Sequence, residues 1–368
     1  MGLIRALLAI AVVVYHSYYF FGQKMTGGTA AVQAFYIISG FYMALILNEK
    51  YKGQKGSWKL FITNRFLRLY PVYWVVLILA IAVSFIGYGV WGQPFYLYGW
   101  MAQPDNIHWT VIVFAIFANL FMFGSDWMFF TGVSRETGHL VWTKVGLDYK
   151  PMTSNMLFVP QIWTLGIEVC FYLVAPFLVR RRWWLQLLIL LLSLFYRYYV
   201  YTEKFWAWDP WSYRFFPFEI ALFMAGSLAY QVYTVIRTKD ISRWLMYAAW
   251  LVIPVLIFYY PYATWIHEWD RRWLFYICVF LCIPFVFQLT KNMKWDRWIG
   301  ELSFPIYIGH HLVMMIIKRY FWTHTEHMYW FGICTVAGSV IFAVFLWKFV
   351  IDPIEKIRQK RVLQTLST

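Results

Sequence analysis

The chain has 368 residues, 62% of them hydrophobic and 23% aromatic, with only 13% charged. That balance excludes a soluble globular domain, a disordered chain and a nucleic-acid-binding module, and it reads as a polytopic membrane protein. The net charge of +15 is carried mainly by short turns between apolar runs rather than by one basic patch.

The first run, Leu3 to Phe21, is long enough to cross a bilayer, yet it holds Arg5 and His16. They lie about three helical turns apart, roughly 16 Å along the axis and on nearly the same face. Ionisable groups inside a membrane are costly, so each is a candidate functional residue. Alone, Arg5 reads as well as a positive flank that sets topology, and His16 as a satisfied core histidine. The shared stripe is what points to chemistry. The run resembles a signal peptide at its start, but no clean small-residue cleavage site follows, and it is expected to remain as a first span.

Ten full spans are expected, at 3–21, 29–47, 69–89, 162–179, 183–200, 215–234, 243–260, 273–289, 302–318 and 329–350. The fold class is therefore all-α, a polytopic membrane helix bundle. Residues 1–351 form the membrane-embedded domain, and 352–368 a short tail. Lys50, Lys52, Lys55, Lys59, Arg65 and Arg68 follow the second span, which puts that loop and the N-terminus on the cytoplasmic side. Later basic turns, at Arg180 to Arg182, at Arg237, Lys239 and Arg243, and at Lys291, Lys294 and Arg297, alternate in phase with this. So does the tail, with Lys356, Arg358, Lys360 and Arg361, and both termini are expected to be cytoplasmic.

Apolar segment 108–124 breaks the parity if it crosses once. It is expected to be re-entrant, unless 90–130 crosses twice or the charge rule fails at one loop. A re-entrant stretch must be buried in protein or line a cavity. Loop 125–160, with Asp126, Arg135, Glu136, His139, Lys144 and Asp148, is long enough to form a lid or binding wall. Tryptophans at span ends, including Trp183, Trp184, Trp244, Trp265, Trp269, Trp295, Trp298, Trp322 and Trp330, mark an interfacial belt. Cys170, Cys278, Cys282 and Cys334 all lie in apolar runs and suggest neither a disulfide framework nor a metal site.

Three blocks carry a resemblance. Arg5 is followed after ten residues by His16. The run Ala31 to Leu47 leads to FITNRFLRLYPVYW, with Arg65, Arg68, Pro71 and Tyr73. QIWTLGIEVCFYLVAPF holds Trp163, Thr164, Leu165, Glu168, Tyr172 and Pro176. Together they resemble the acyltransferase-3 family of integral membrane acyltransferases, and LSFPIYIGHHLVM and VIDPIEK resemble its late segments. Thr164 stands where the family more often has Ser, and Asp352 where Glu is more usual. The resemblance implies transfer of an acyl group, acetyl in the first instance, from cytoplasmic acyl-coenzyme A to a hydroxyl of a surface glycan or glycolipid. It also implies an inner-membrane location. No appended hydrolase-like domain is expected, so the transfer is to be completed by the membrane domain or by a separate partner.

The residues support a matching physical reading. His16 is expected about 20 Å along its span and Glu168 roughly 10 Å below the opposite surface, depths that agree across a core of about 30 Å. A carboxylate beside an imidazole orients it and fixes its tautomer, as a general base for a sugar hydroxyl needs. His16 and Glu168 are the catalytic candidates. Arg65 and Arg68, three apart on one helix face, with Arg5 at the same level, are the candidates for the coenzyme A phosphates. Ordinary positive-inside anchoring is the bland reading of the same arginines. His310 and His311 are adjacent in one span, point to different faces, and do not read as metal ligands. Arg197, Arg214 and Glu219 either shape an acceptor pocket or pair with each other. The competing function is a proton-coupled carrier exporting a sugar or lipid-linked glycan, against which stands the lack of repeat symmetry. Expected partners are acyl-coenzyme A, a glycan or glycolipid and membrane lipid, with no nucleic acid and no metal. Homo-oligomerisation is left open.

Overall fold

The structure is a computed structural model, which describes all residues except 52–56, 144–148, 205, 323–327 and 367–368. Lys52, Lys55, Lys144 and Asp148 lie outside the described residues. The helices are α1 (Gly2–His16), α2 (Gly28–Glu49), α3 (Ser57–Trp91), α4 (Tyr98–Met101), α5 (Trp109–Phe121), α6 (Trp163–Leu178), α7 (Trp183–Glu203), α8 (Phe216–Ile236), α9 (Arg243–Tyr259), α10 (Glu268–Thr290), α11 (Lys294–Trp322), α12 (Met328–Leu346) and α13 (Asp352–Leu366). Among the described residues, nine helical stretches are long and apolar enough to cross a membrane, while α1 and α5 are shorter. The chain is an integral membrane helix bundle. Its only β structure among the described residues is a short antiparallel pair, β1 (Thr131–Val133) with β2 (Leu140–Trp142), plus two isolated bridges.

The central pair is α2 and α8, which cross at glycines. A Cβ on Gly40 would stand 2.0 Å from the carbonyl oxygen of Phe223, and one on Gly226 would stand 1.9 Å from that of Ile37. Small residues let two backbones approach this closely where no hydrophobic effect drives helices together. Helices α1 and α11 pack side by side in the same direction. Gly2 abuts Asp296 and Gly300 at one end, and His16 meets His310 and His311 at the other. Asp296 accepts from the backbone amides of Gly2 at 2.7 Å and Leu3 at 2.9 Å, satisfying donors that the first turn of α1 leaves orphaned.

The basic turns gather at the end where α1 begins. Arg180 donates to the carbonyls of Leu47 and Tyr51 at 3.0 and 2.7 Å, Arg237 pairs with Glu49 at 2.5 Å, and Arg361 of α13 reaches Thr63 at 3.1 Å.

Helix α1 stops at His16 rather than continuing to Phe21. Ser17 turns its hydroxyl back to the Val13 carbonyl at 2.8 Å. Phe20 and Gln23 then exchange backbone hydrogen bonds around Phe21 (φ 50°) and Gly22 (φ 74°), a tight turn that no helix can include. With a rise of about 1.5 Å per residue, α1 is about 22 Å long, short of a hydrocarbon core of about 30 Å.

The segment expected to be re-entrant forms α5, a helix of 13 residues, about 20 Å long. Its last carbonyls, which have no partner within the helix, are met by α3: Trp74 donates to Leu120 O at 2.9 Å, Tyr70 to Phe121 O at 2.5 Å, and Tyr73 to Asn119 O. The Asn119 side chain ties the turn to the returning chain at Met156 and Phe158. Helix ends inside a membrane need such partners. The described part of the following loop is packed: Phe130 stacks on Trp142 at 5.6 Å and meets Trp211 at 4.9 Å.

Candidate functional site

A cavity of about 390 Å³ is walled by α1, α2, α3, α6, α10 and α11. It follows α11 from Asp296 to Tyr307, about 16 Å of helix. Arg5, Arg65, Arg68, Lys291 and Arg297 bring positive charge to it, against Glu168, Asp296 and Glu301. The three arginines singled out from the sequence thus share one cavity wall. Arg65 is buried, and its Nε has no hydrogen-bond partner among the described residues. Arg5 lies over the Tyr42 ring at 5.7 Å. Arg68 is 3.7 Å from Glu301, a loose pair.

Glu168 lies on the same cavity. Ser39 donates to its Oε1 at 2.7 Å, and Tyr172, one turn further along α6, donates to the same oxygen. The expected pairing with His16 is absent: among the described residues no hydrogen bond or ion pair joins the two. The reason is a layer between them. Thr164 Oγ1 and Tyr307 OH are bonded at 2.8 Å and both lean on the carbonyl of Gln161, at 3.0 and 3.3 Å. Glu168 is on the cavity side of that layer, and His16 is not among the cavity residues.

The neighbours of His16 are imidazoles. Its ring centroid is 5.5 Å from that of His310 and 4.7 Å from that of His311, and His16 itself is exposed. His310 is fully buried, with Nδ1 2.6 Å from the Tyr307 carbonyl and Nε2 unpartnered among the described residues. His311 Nδ1 is 3.3 Å from Tyr96 OH. Adjacency in sequence suggested different faces for this pair, but their rings stand only 4.6 Å apart. Only the parallel packing of α1 on α11 reveals that both turn towards His16.

Of the other candidates, Arg197 and Glu219 pair with each other at 2.5 Å in the core, with Gln33 donating to both Glu219 oxygens at 2.9 Å. Arg214 is separate. Asp209 holds it through Oδ1 at 2.6 Å and Oδ2 at 3.0 Å, and its guanidinium is caged by Phe129 at 4.0 Å, Trp163 at 4.2 Å and Tyr213 at 4.6 Å. Its Nη1 is buried without a partner among the described residues, and its charge reaches His16. The loop residue Asp209 was not foreseen.

A cationic cavity with an exposed histidine beyond the Thr164–Tyr307 layer is an arrangement suited to an anionic donor and a base. A family model described as an acyltransferase domain matches residues 1–348. The chain belongs to the acyltransferase-3 family. The chain is also similar to the peptidoglycan O-acetyltransferase OatA of Listeria monocytogenes, with 25% identity over 382 residues, covering 96% of this chain and 55% of that protein. The chain thus spans about half the length of the curated relative it matches. No solved structure matches it.

Proposed function

We propose that this membrane acyltransferase moves an acetyl group from acyl-coenzyme A to a hydroxyl of a cell-envelope glycan, with its basic end in the cytoplasm and its histidine cluster towards the outer face of the inner membrane. The observation that carries the reading is the alignment of Arg5, Arg65 and Arg68 at one end of a cavity whose other end, at Tyr307, is one helical turn from His310 and so from His16. Guanidinium groups suit the phosphates of coenzyme A, and a cavity that follows about 16 Å of α11 suits its pantetheine arm. The clustering of basic turns at the same end supports the orientation. The similarity to a peptidoglycan O-acetyltransferase supports acetyl as the group and a glycan as the acceptor.

In this reading His16 takes the proton from the acceptor hydroxyl. The oxygen attacks the thioester carbonyl, the carbon–sulfur bond breaks, and coenzyme A leaves as the thiol after protonation. Where donor and acceptor do not meet directly, the imidazole carries the acyl group between them. Glu168, held by Ser39 and Tyr172, belongs to the donor wall rather than to His16.

The test is acyl transfer by the purified protein from labelled acetyl-coenzyme A to glycan. His16→Ala is expected to lose about 10²–10⁴-fold in turnover, while Arg65→Gln and Glu168→Gln act on the donor KM. Full turnover in stably inserted His16→Ala would sink the reading, and export of unlabelled glycan would favour a carrier.

A further inference from the structure

We infer that His16, His310 and His311 form a binding site for a divalent transition metal, Zn²⁺ by preference, reached from the open side of His16. Their ligand nitrogens all lie within 4.8 Å of one another. The site has two features that a chance meeting of histidines lacks. His310 spends Nδ1 on a backbone carbonyl at 2.6 Å, which fixes the tautomer and leaves Nε2 as a buried lone pair with no partner among the described residues. His311 places Nδ1 beside the Tyr96 hydroxyl at 3.3 Å, freeing its other nitrogen. An outer partner on the far nitrogen is the usual setting of a metal-ligating imidazole. Three imidazoles with nothing softer or more acidic suit Zn²⁺, with a fourth place for water.

The trio is looser than a loaded site. Tetrahedral bonds of about 2.0–2.1 Å put ligand nitrogens about 3.3–3.4 Å apart. His16 can supply the closure, since it is the terminal residue of α1 and exposed, whereas His310 is fixed. The charge of Arg214 opposes a dication here, but its bidentate pairing with Asp209 offsets that.

Binding uses the lone pair of His16. If His16 is the base, as proposed above, a bound ion blocks transfer, and this consequence rests on that reading while the site itself does not. The experiment uses full-length protein in detergent, carrying no polyhistidine tag, stripped by chelator and titrated with Co²⁺ and then Zn²⁺. Expected is saturable uptake of one Co²⁺ per chain with the visible absorption of a tetrahedral ion, displaced by Zn²⁺. Tyr96→Phe should weaken affinity about tenfold by removing an outer partner, and His310→Asn should weaken it more. No saturable uptake, or uptake that both variants leave unchanged, overturns the site. Uptake with undiminished acetyl transfer upholds the site and overturns His16 as the base.

Discussion

At the scale of single residues, the most consequential buried charges are Arg197 and Glu219. Glu219 is wholly buried, accepts from both Arg197 and Gln33, and Gln33 in turn accepts from Tyr276. Removing one member of such a pair strands the other charge in a low-dielectric interior, at a cost of about 3–5 kcal/mol. Arg197→Met is expected to lower stability by that amount in detergent thermal unfolding. Adding Glu219→Gln should restore most of it, because Gln still accepts from Gln33 and carries no charge. A double variant no more stable than the single would show that packing, not charge, is what Arg197 provides. The same charges show how far the sequence could be read. Arg5, Arg65 and Arg68 were legible because polar residues in apolar runs are conspicuous and their spacing sets a face. The partner of His16 was not. Depth along a helix says how far two residues lie below a surface, but not which helices are neighbours. Glu168 and His16 have comparable expected depths, yet the Thr164–Tyr307 layer stands between them.

At the scale of elements, the α2–α8 crossing is set by two glycines with no room for any side chain. Gly226→Ala would put a methyl carbon 1.9 Å from the Ile37 carbonyl oxygen, so the helices must part. Overpacking of this kind costs about 1–3 kcal/mol. The variant is expected to lose that much stability, and Gly89→Ala, where a Cβ meets nothing within 4 Å, to lose little; equal losses in unfolding assays would refute the account. Because Ile37 and Ser39 flank the same stretch of α2, Gly226→Ala should also disturb the Ser39–Glu168 bond and raise the donor KM. Most span positions were legible from hydrophobic runs alone, and 108–124, singled out by the basic turns, forms a helix of 13 residues, shorter than the long apolar set. Helix ends were less legible. The stop at His16 depends on a two-residue turn at Phe21 and Gly22, and the end of α5 depends on Tyr70, Tyr73 and Trp74 from another helix. An apolar run continues through the first and gives no hint of the second.

At the scale of the whole molecule, the bundle separates a cationic cavity from an exposed histidine, and the partition is thin. Tyr307 and Thr164 form it, bonded to each other at 2.8 Å and resting on Gln161, whose amide donates to Ile308 O at 2.7 Å. On the proposed function, such a partition lets the acyl group pass while denying water a route from the histidine side to the thioester. Excluding water from a reactive donor is a recognised task of closed sites. Tyr307→Ala removes a buried aromatic ring and its hydroxyl, joining the two spaces. The expected result is a lower yield of acetylated glycan together with faster hydrolysis of acetyl-coenzyme A, the ratio of hydrolysis to transfer rising about tenfold or more, as the loss of about 1.4 kcal/mol of discrimination would give. Tyr307→Phe keeps the ring and loses only the bond to Thr164, so its ratio should move much less. Parallel assays of free coenzyme A release and of glycan-bound label separate the two products. If Tyr307→Ala slowed both in proportion, the residue would be a support for α11 rather than a barrier between its two ends.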